Sequence, residues 1–120
     1  MLEWSSKNFE NVDKIRSNIN NLVSTVQSEF EDAQIRIAVV AYRSYLNKDG
    51  EFKINNLTTN MSQVQTFLSN LNPTDDTITN EDVLDALGAI DKSLNLDWQA
   101  SNKLIFQIGT LMDITFFYSF

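Results

Sequence analysis

The chain lacks cysteine and histidine altogether, and these two absences exclude most familiar catalytic and metal chemistry. Without cysteine there is no disulfide, thiol nucleophile or cysteine-zinc site. Without histidine the commonest general base, the serine-histidine-aspartate triad and imidazole metal ligands are excluded as well. Any chemistry must therefore rest on carboxylates, hydroxyls, amides or amines.

Basic residues are also scarce, since 9 Lys and Arg stand against 16 Asp and Glu, for a formal net charge of −7. Nucleic-acid binding needs clustered Lys and Arg, which this composition disfavours. The first residues lack a signal-peptide pattern, and no apolar run reaches the roughly 20 residues of a membrane helix. We expect a soluble, cytoplasmic protein that binds neither nucleic acid nor membrane, and whose acidic surface suits cationic partners.

What the sequence does contain is regular hydrophobic periodicity over 120 residues, which is the length of one domain. Apolar residues spaced by three or four predict an amphipathic helix over residues 8–30. Its predicted buried stripe is Phe9, Val12, Ile15, Ile19, Leu22, Val23, Val26 and Phe30.

A near-continuous apolar run, rich in β-branched residues and interrupted only by Arg36, extends from Ile35 to Tyr42 and predicts a strand covered on both faces. Turn residues 47–50 follow, and the apolar residues from Phe52 to Leu57 predict a second strand, antiparallel to the first. The sequence therefore predicts a β-hairpin with helices on either side of it.

The second half of the chain predicts two more helices and a strand. Residues 61–71 predict a short helix, and a longer one begins after Thr79, which is placed to cap it. The predicted buried stripe of that longer helix is Val83, Leu84, Leu87, Ile90 and Leu94, while the small residues Ala86, Gly88 and Ala89 allow close packing on a sheet. Residues 103–108 predict a third strand, so the fold class is α/β, a sandwich with helices on both faces of a sheet.

Four stretches, IRIAVVAYRSY, FKINNLTTNMSQVQTFLSNL, EDVLDALGAIDKSLNLDW and NKLIFQI, together resemble a von Willebrand factor A domain. The nearest type is the domain attached to alpha-type protein kinases in protists. The resemblance covers residues 11–108 and implies a Rossmann-like sandwich. It also implies a metal-ion-dependent adhesion site, where loops meet at the carboxyl ends of the strands.

The chain departs from the family pattern at its beginning. The family begins with a central strand, followed by an acidic residue and two hydroxyl residues that bind Mg²⁺. Aligned without gaps, this pattern places Glu3, Ser5 and Lys7 at those positions, and the ammonium group of Lys7 would repel a cation. Because two residues precede Glu3, we expect the central first strand to be missing and the domain, residues 1–120, to be partial.

The other two metal-binding segments of the family are altered as well. The second corresponds to residues 77–82, and the third to residues 109–110, with Asp113 three residues late. The resemblance implies a binding rim of Ser5, Thr77, Thr79, Glu81, Asp82 and Thr110, with Glu3, Ser5 and Asp82 as candidate ligands for Mg²⁺. An alternative is that Thr79 and Asp82 only cap a helix.

The resemblance implies a non-catalytic module that binds a protein partner, in which metal-dependent binding is not expected. Two alternatives remain, a truncated remnant or scaffold without a ligand, and a divalent-metal-dependent hydrolase. We expect residues 109–120 to form a divergent tail without a partner. The other possibility is that aromatic residues within 112–120 occupy the central strand position; otherwise unpaired sheet edges would invite association with other chains.

Overall fold

A computed structural model describes residues 1–44, 50, 52–72, 83–100, 102–109 and 117–119. The chain begins with strand β1, a 3₁₀ turn and a long helix, α1. A hairpin, two further helices and two short strands follow. Their bounds are β1 Leu2–Glu3, the 3₁₀ turn Ser6–Asn8, α1 Phe9–Glu29, β2 Ile37–Tyr42, β3 Phe52–Thr58, α2 Met61–Ser69, α3 Val83–Leu94, β4 Leu104–Phe106 and β5 Phe117–Ser119.

The predicted hairpin is confirmed. Strands β2 and β3 pair antiparallel, with Tyr42 opposite Phe52 and Ala41 opposite Lys53. The predicted turn lies largely outside the described residues. On its other side β2 pairs parallel with β1, so the sheet order is β1-β2-β3.

The expectation that the central strand is missing is wrong, because β1 occupies that position with two residues. Trp4 N–H donates to Tyr42 O at 2.9 Å on one side. On the other side Glu3 N–H donates to Ile108 O at 2.9 Å, and Ile108 N–H donates to Met1 O at 3.0 Å. Two residues suffice because each of these hydrogen bonds joins backbone groups that would otherwise lack a partner at the centre of the sheet.

The end of the chain corrects a second expectation. Strand β5 pairs antiparallel with β4, with Leu104 opposite Ser119 and Phe106 opposite Phe117. It therefore has a partner, and that partner is β4 rather than the strands on either side of the central position. The remaining tail residues that the sequence analysis singled out, 112–116 and 120, lie outside the described part of the chain.

Strand β2 separates two hydrophobic clusters, as its apolar run predicts. Val39 and Ala41 pack with α1 and α2, in a cluster that also contains Val12, Val64 and Leu68. Val40 and Tyr42 point the other way, into a cluster with two alanines of α3. Alternation along the strand thus produces the α/β sandwich, with helices on both faces of the sheet.

The buried stripe predicted for α3 is wrong at two positions, since Leu87 is 53% exposed and Leu94 is 50% exposed, while Ile90 is half-buried. The buried residues of this helix are Asp85, Ala86, Ala89 and Ser93. The sheet face under α3 already carries the bulky Val40 and Tyr42, so small side chains let the helix approach it closely. The structure does not describe the side chains of Val83 and Leu84, the other two residues of the predicted stripe.

Helix α1 is confirmed at the predicted place, but three of the eight residues of its predicted stripe are exposed. Val12 and Ile19 are buried, whereas Leu22, Val26 and Phe30 are 57%, 38% and 62% exposed. The cause is length: the 21 residues of α1 extend about 31 Å at about 1.5 Å per residue. The six residues of β2 extend only about 20 Å, so the helix continues beyond the sheet that it packs on.

Among the described helices, none combines the length and the apolar character that crossing a bilayer requires.

We predict that two aliphatic substitutions on α1 change the free energy of unfolding by very different amounts. Ile19→Ala should lower the free energy of unfolding by about 2–5 kcal/mol, because it leaves a cavity in the core. Leu22→Ala, one turn later, should change it by no more than about 0.5 kcal/mol, because that side chain is exposed. Urea denaturation of both variants measures the difference, and equal losses would contradict the end of the core at Ile19.

We also predict that stability depends on the α-amino group of the 120-residue chain. This group donates a hydrogen bond to Phe106 O, and burial lowers its pKa from 8.0 to about 5. Since the unfolded chain keeps the proton up to about pH 8, the free energy of unfolding should rise with pH from about 5 to 8, by at most about 1.4 kcal/mol per pH unit.

The absence of histidine makes this window nearly free of other ordinary titrations. Thermal unfolding at several pH values measures the slope, and N-terminally acetylated protein is the matched control. An equal slope in the acetylated chain would assign the pH dependence to other groups.

Candidate functional site

The polar residues of interest lie at the carboxyl ends of β1 and β2, which meet at one edge of the sheet because the two strands are parallel. Glu3 and Ser5 follow from β1, and Arg43 and Ser44 follow β2. All four side chains are buried, with exposed fractions of 0–2%. Such complete burial of charged groups requires specific partners.

Glu3 is held by neighbours on three sides. Ser5 Oγ donates to Glu3 Oε1 at 2.6 Å, and Asn8 Nδ2 donates to the backbone oxygen of Glu3 at 2.6 Å. A Cβ atom placed on Gly109 would lie 2.7 Å from both Glu3 Oε2 and the Tyr42 hydroxyl. We call these five residues the Glu3 cluster.

The local sequence explains why the Glu3 cluster forms. After β1 the chain turns at once into the 3₁₀ turn, where Asn8 N–H donates to Ser5 O at 3.1 Å. This reversal returns the Asn8 side chain to β1 and directs Ser5 towards Glu3. The cluster therefore depends on the short connection between β1 and α1.

A cation-aromatic stack adjoins the cluster. The guanidinium carbon of Arg43 lies 4.2 Å from the centre of the Trp4 ring, and Lys53 Nζ lies 4.7 Å from it. Arg43 Nε also donates to Gly50 O at 2.8 Å. Burial strengthens such contacts, so the stack joins the hairpin to β1.

Sequence reasoning missed this stack, and also the burial of Asp85 in the first turn of α3, where the side chain is 1% exposed. The burial of Arg43 could have been predicted, since an arginine directly after a buried apolar run lies close to the core. Nothing local marked Trp4, because both of its cationic partners lie far away in the sequence.

The structure brings together Glu3 and Ser5 among the predicted site residues. The others, Thr77, Thr79, Glu81, Asp82 and Thr110, lie outside the described residues. Within the described ranges, no three acidic side chains form a group able to hold a metal ion. The Ser5 hydroxyl donates to the Glu3 carboxylate, and both side chains are buried. Because Asp82, the third candidate ligand, lies outside the described residues, the set of ligands for Mg²⁺ stays a prediction.

No family model, curated protein or solved structure matches the chain. Any functional conclusion must therefore rest on the residues and their geometry.

Apart from the Glu3 cluster, the protein has a concave surface between β3 and α2. It is a shallow depression of about 500 Å³, lined by Asn55, Asn60, Ser62, Gln63, Thr66, Phe67 and Asn70. Gln63 Nε2 donates to Asn55 Oδ1 at 3.2 Å, and Asn60 Oδ1 accepts from Gln63 N–H at 3.2 Å to cap α2. The side chains of Asn55, Asn60 and Gln63 are thus used to join β3 to α2 and to cap that helix. We therefore interpret the depression as part of the fold rather than as a binding site.

We predict that Gly109→Ala destabilises the protein by steric conflict rather than by backbone strain, because Gly109 has no positive φ. The added methyl group would meet Glu3 and Tyr42 and should cost about 1–3 kcal/mol. In a double-mutant cycle Tyr42→Phe should recover part of this loss, since it removes one of the two clashing atoms. Chemical denaturation measures all four proteins, and an unchanged stability of Gly109→Ala would contradict the packing described here.

Proposed function

We propose that this chain is a non-catalytic protein-interaction module with a von Willebrand factor A-like fold. The sheet supports this proposal, because β3, β2, β1 and the segment at Ile108 lie side by side in that order. Doubly wound α/β domains have the same partial order, 3-2-1-4. The helices on both faces are in keeping with such a fold.

One observation carries the functional part of the proposal, namely the closure of the Glu3–Ser5 pair. A catalytic carboxylate must reach a substrate, and a metal-binding one must offer its oxygens to an ion. Here Ser5 Oγ lies 2.6 Å from Glu3 Oε1, and both residues are buried. The pair supports the fold of the rim, and binding is left to exposed surfaces.

The hydrolase alternative receives less support. General acid-base catalysis by carboxylates needs two such groups facing one cavity. Ser5 Oγ donates to the carboxylate of Glu3, Asn8 Nδ2 donates to its backbone oxygen, and Gly109 packs against its side chain, so none of these described contacts is with a second carboxylate. Mg²⁺ is accordingly not a cofactor in this proposal.

We predict that divalent metal does not alter the stability of the protein. Thermal unfolding followed by circular dichroism, first with EDTA and then with millimolar Mg²⁺ or Mn²⁺, should give one cooperative transition at an unchanged Tm. A ligand that binds only the folded state would raise the Tm by mass action. Glu3→Gln is the control, because it removes the charge with little change in shape, and its Tm should likewise not respond to metal.

Three results would overturn the proposal. A rise in Tm with metal that Glu3→Gln abolishes would establish a metal-dependent site. Hydrolysis of p-nitrophenyl phosphate in Mg²⁺, lost in the same variant, would establish an enzyme. The absence of a cooperative transition would favour a truncated remnant without its own function.

A further inference from the structure

The part of α1 that extends beyond the sheet presents an apolar stripe to solvent. Leu22 and Val26 lie one turn apart on the same side of α1, and Phe30, the residue directly after the helix, follows at the same interval of four. Their exposed fractions are 57%, 38% and 62%. We call these three residues the overhang stripe.

The overhang stripe is held in a defined conformation. Phe30 N–H donates to Val26 O at 3.1 Å, which continues the helical pattern to the last stripe residue. The side-chain Nε2 of Gln27 lies 3.1, 3.2 and 2.8 Å from the backbone oxygens of Phe30, Glu31 and Ala33, which share its two hydrogens. These bonds hold the segment that follows α1 against its last turn, so a partner would meet a preformed surface.

Negative charge surrounds one end of the stripe. Glu29, Glu31 and Asp32 are exposed, and residues 17–35 contain no Lys or Arg. In the first half of α1, by contrast, Lys14 pairs with Glu10 at 2.9 Å and Arg16 pairs with Asp13 at 3.0 Å. The three acidic residues near the overhang have no ion pair within the part of the chain that the structure describes.

The helix dipole adds to this negative potential. The carboxyl end of a helix carries a partial negative charge and favours cations. Acidic residues at this end therefore raise the electrostatic free energy of the isolated chain. A partner that brings positive charge beside the stripe would lower it, and the next cation, Arg36, is already bound to Leu57 O at 3.3 Å.

We propose that the overhang stripe binds an amphipathic helix of a partner protein, one with an apolar face flanked by Lys and Arg. A helix fits because anchors spaced by four residues match the apolar face of another helix. A second copy of this chain would bring like charges together, and an anionic membrane would be repelled by the same three acidic residues. The inference rests on the proposed interaction function, and it names a surface distinct from the rim.

The test uses a model ligand, an 18-residue fluorescent peptide of Leu and Lys arranged so that a helix has one apolar and one cationic face. The full 120-residue chain should bind it saturably in fluorescence anisotropy at about 50 mM salt. Leu22→Ser with Phe30→Ser should weaken binding at least tenfold, and Glu31→Gln with Asp32→Asn should weaken it severalfold. Raising the salt to about 500 mM should remove the effect of the charge variant, since exposed charges are then screened.

Matched control variants distinguish binding at the overhang stripe from nonspecific hydrophobic binding and from the effect of the overall negative charge. Leu87→Ser removes an apolar side chain of similar exposure on α3, and Asp97→Asn removes an exposed charge elsewhere. Neither should change peptide affinity by more than about twofold. A scrambled peptide of the same composition, without separated faces, should bind at least tenfold more weakly, and circular dichroism should show that all variants remain folded.

Several outcomes would overturn the inference. These are no saturable binding, equal loss in the overhang and Leu87 variants, preferential binding to anionic vesicles, or self-association that the overhang variant abolishes. Binding that only Leu87→Ser removes would refute the overhang surface while leaving the proposed interaction function intact. A failure of that function itself would show separately, in the metal and hydrolysis experiments.

Discussion

The whole arrangement depends on the backbone hydrogen bonds of a two-residue strand. Strand β1 joins β2 on one side and the segment at Ile108 on the other, so three parts of the chain that are far apart in sequence meet there. Leu2 and Trp4 are both buried, with exposed fractions of 3% and 1%. A short strand can hold this position because its side chains contribute to the core while its amides complete the sheet.

The same strand determines what the polar rim is able to do. Since the chain turns immediately after Trp4, Ser5 Oγ donates to Glu3 Oε1, and Asn8 Nδ2 donates to the backbone oxygen of Glu3. Gly109 packs so closely on Glu3 and Tyr42 that a Cβ atom would have no room there. In the proposed function, this carboxylate at the end of a central strand fixes the positions of its neighbours. Exposed surface on α1 then becomes the better candidate for recognition.

How much was predictable follows from the range of the interactions concerned. The spacing of nearby apolar residues determines the positions of the hairpin and of α1, so both were predicted correctly. On α3 the close packing of Ala86 and Ala89 was predicted from their size, but the exposure of Leu87 was not, because it depends on the bulk of Val40 and Tyr42 across the sheet. The resemblance named both Glu3 and Ser5 as candidate ligands, and their side chains do contact each other. The packing of Gly109 against Glu3, about a hundred positions away in the sequence, could not be read from the local pattern. The exposure of Leu22 could not be read from a helical pattern that continues unchanged past the end of the sheet.

The two tryptophans of the chain lie in different environments. Trp4 is buried directly after β1, and its ring contacts both Arg43 and Lys53. Trp98 is half-buried beyond the end of α3, where its indole N–H donates to Ser93 O at 2.8 Å. Their fluorescence therefore samples two regions of the molecule independently. Loosening of the α3 terminus would alter the emission of Trp98 alone, whereas separation of the sheet would alter that of Trp4, giving the protein built-in optical probes for distinguishing local from global unfolding.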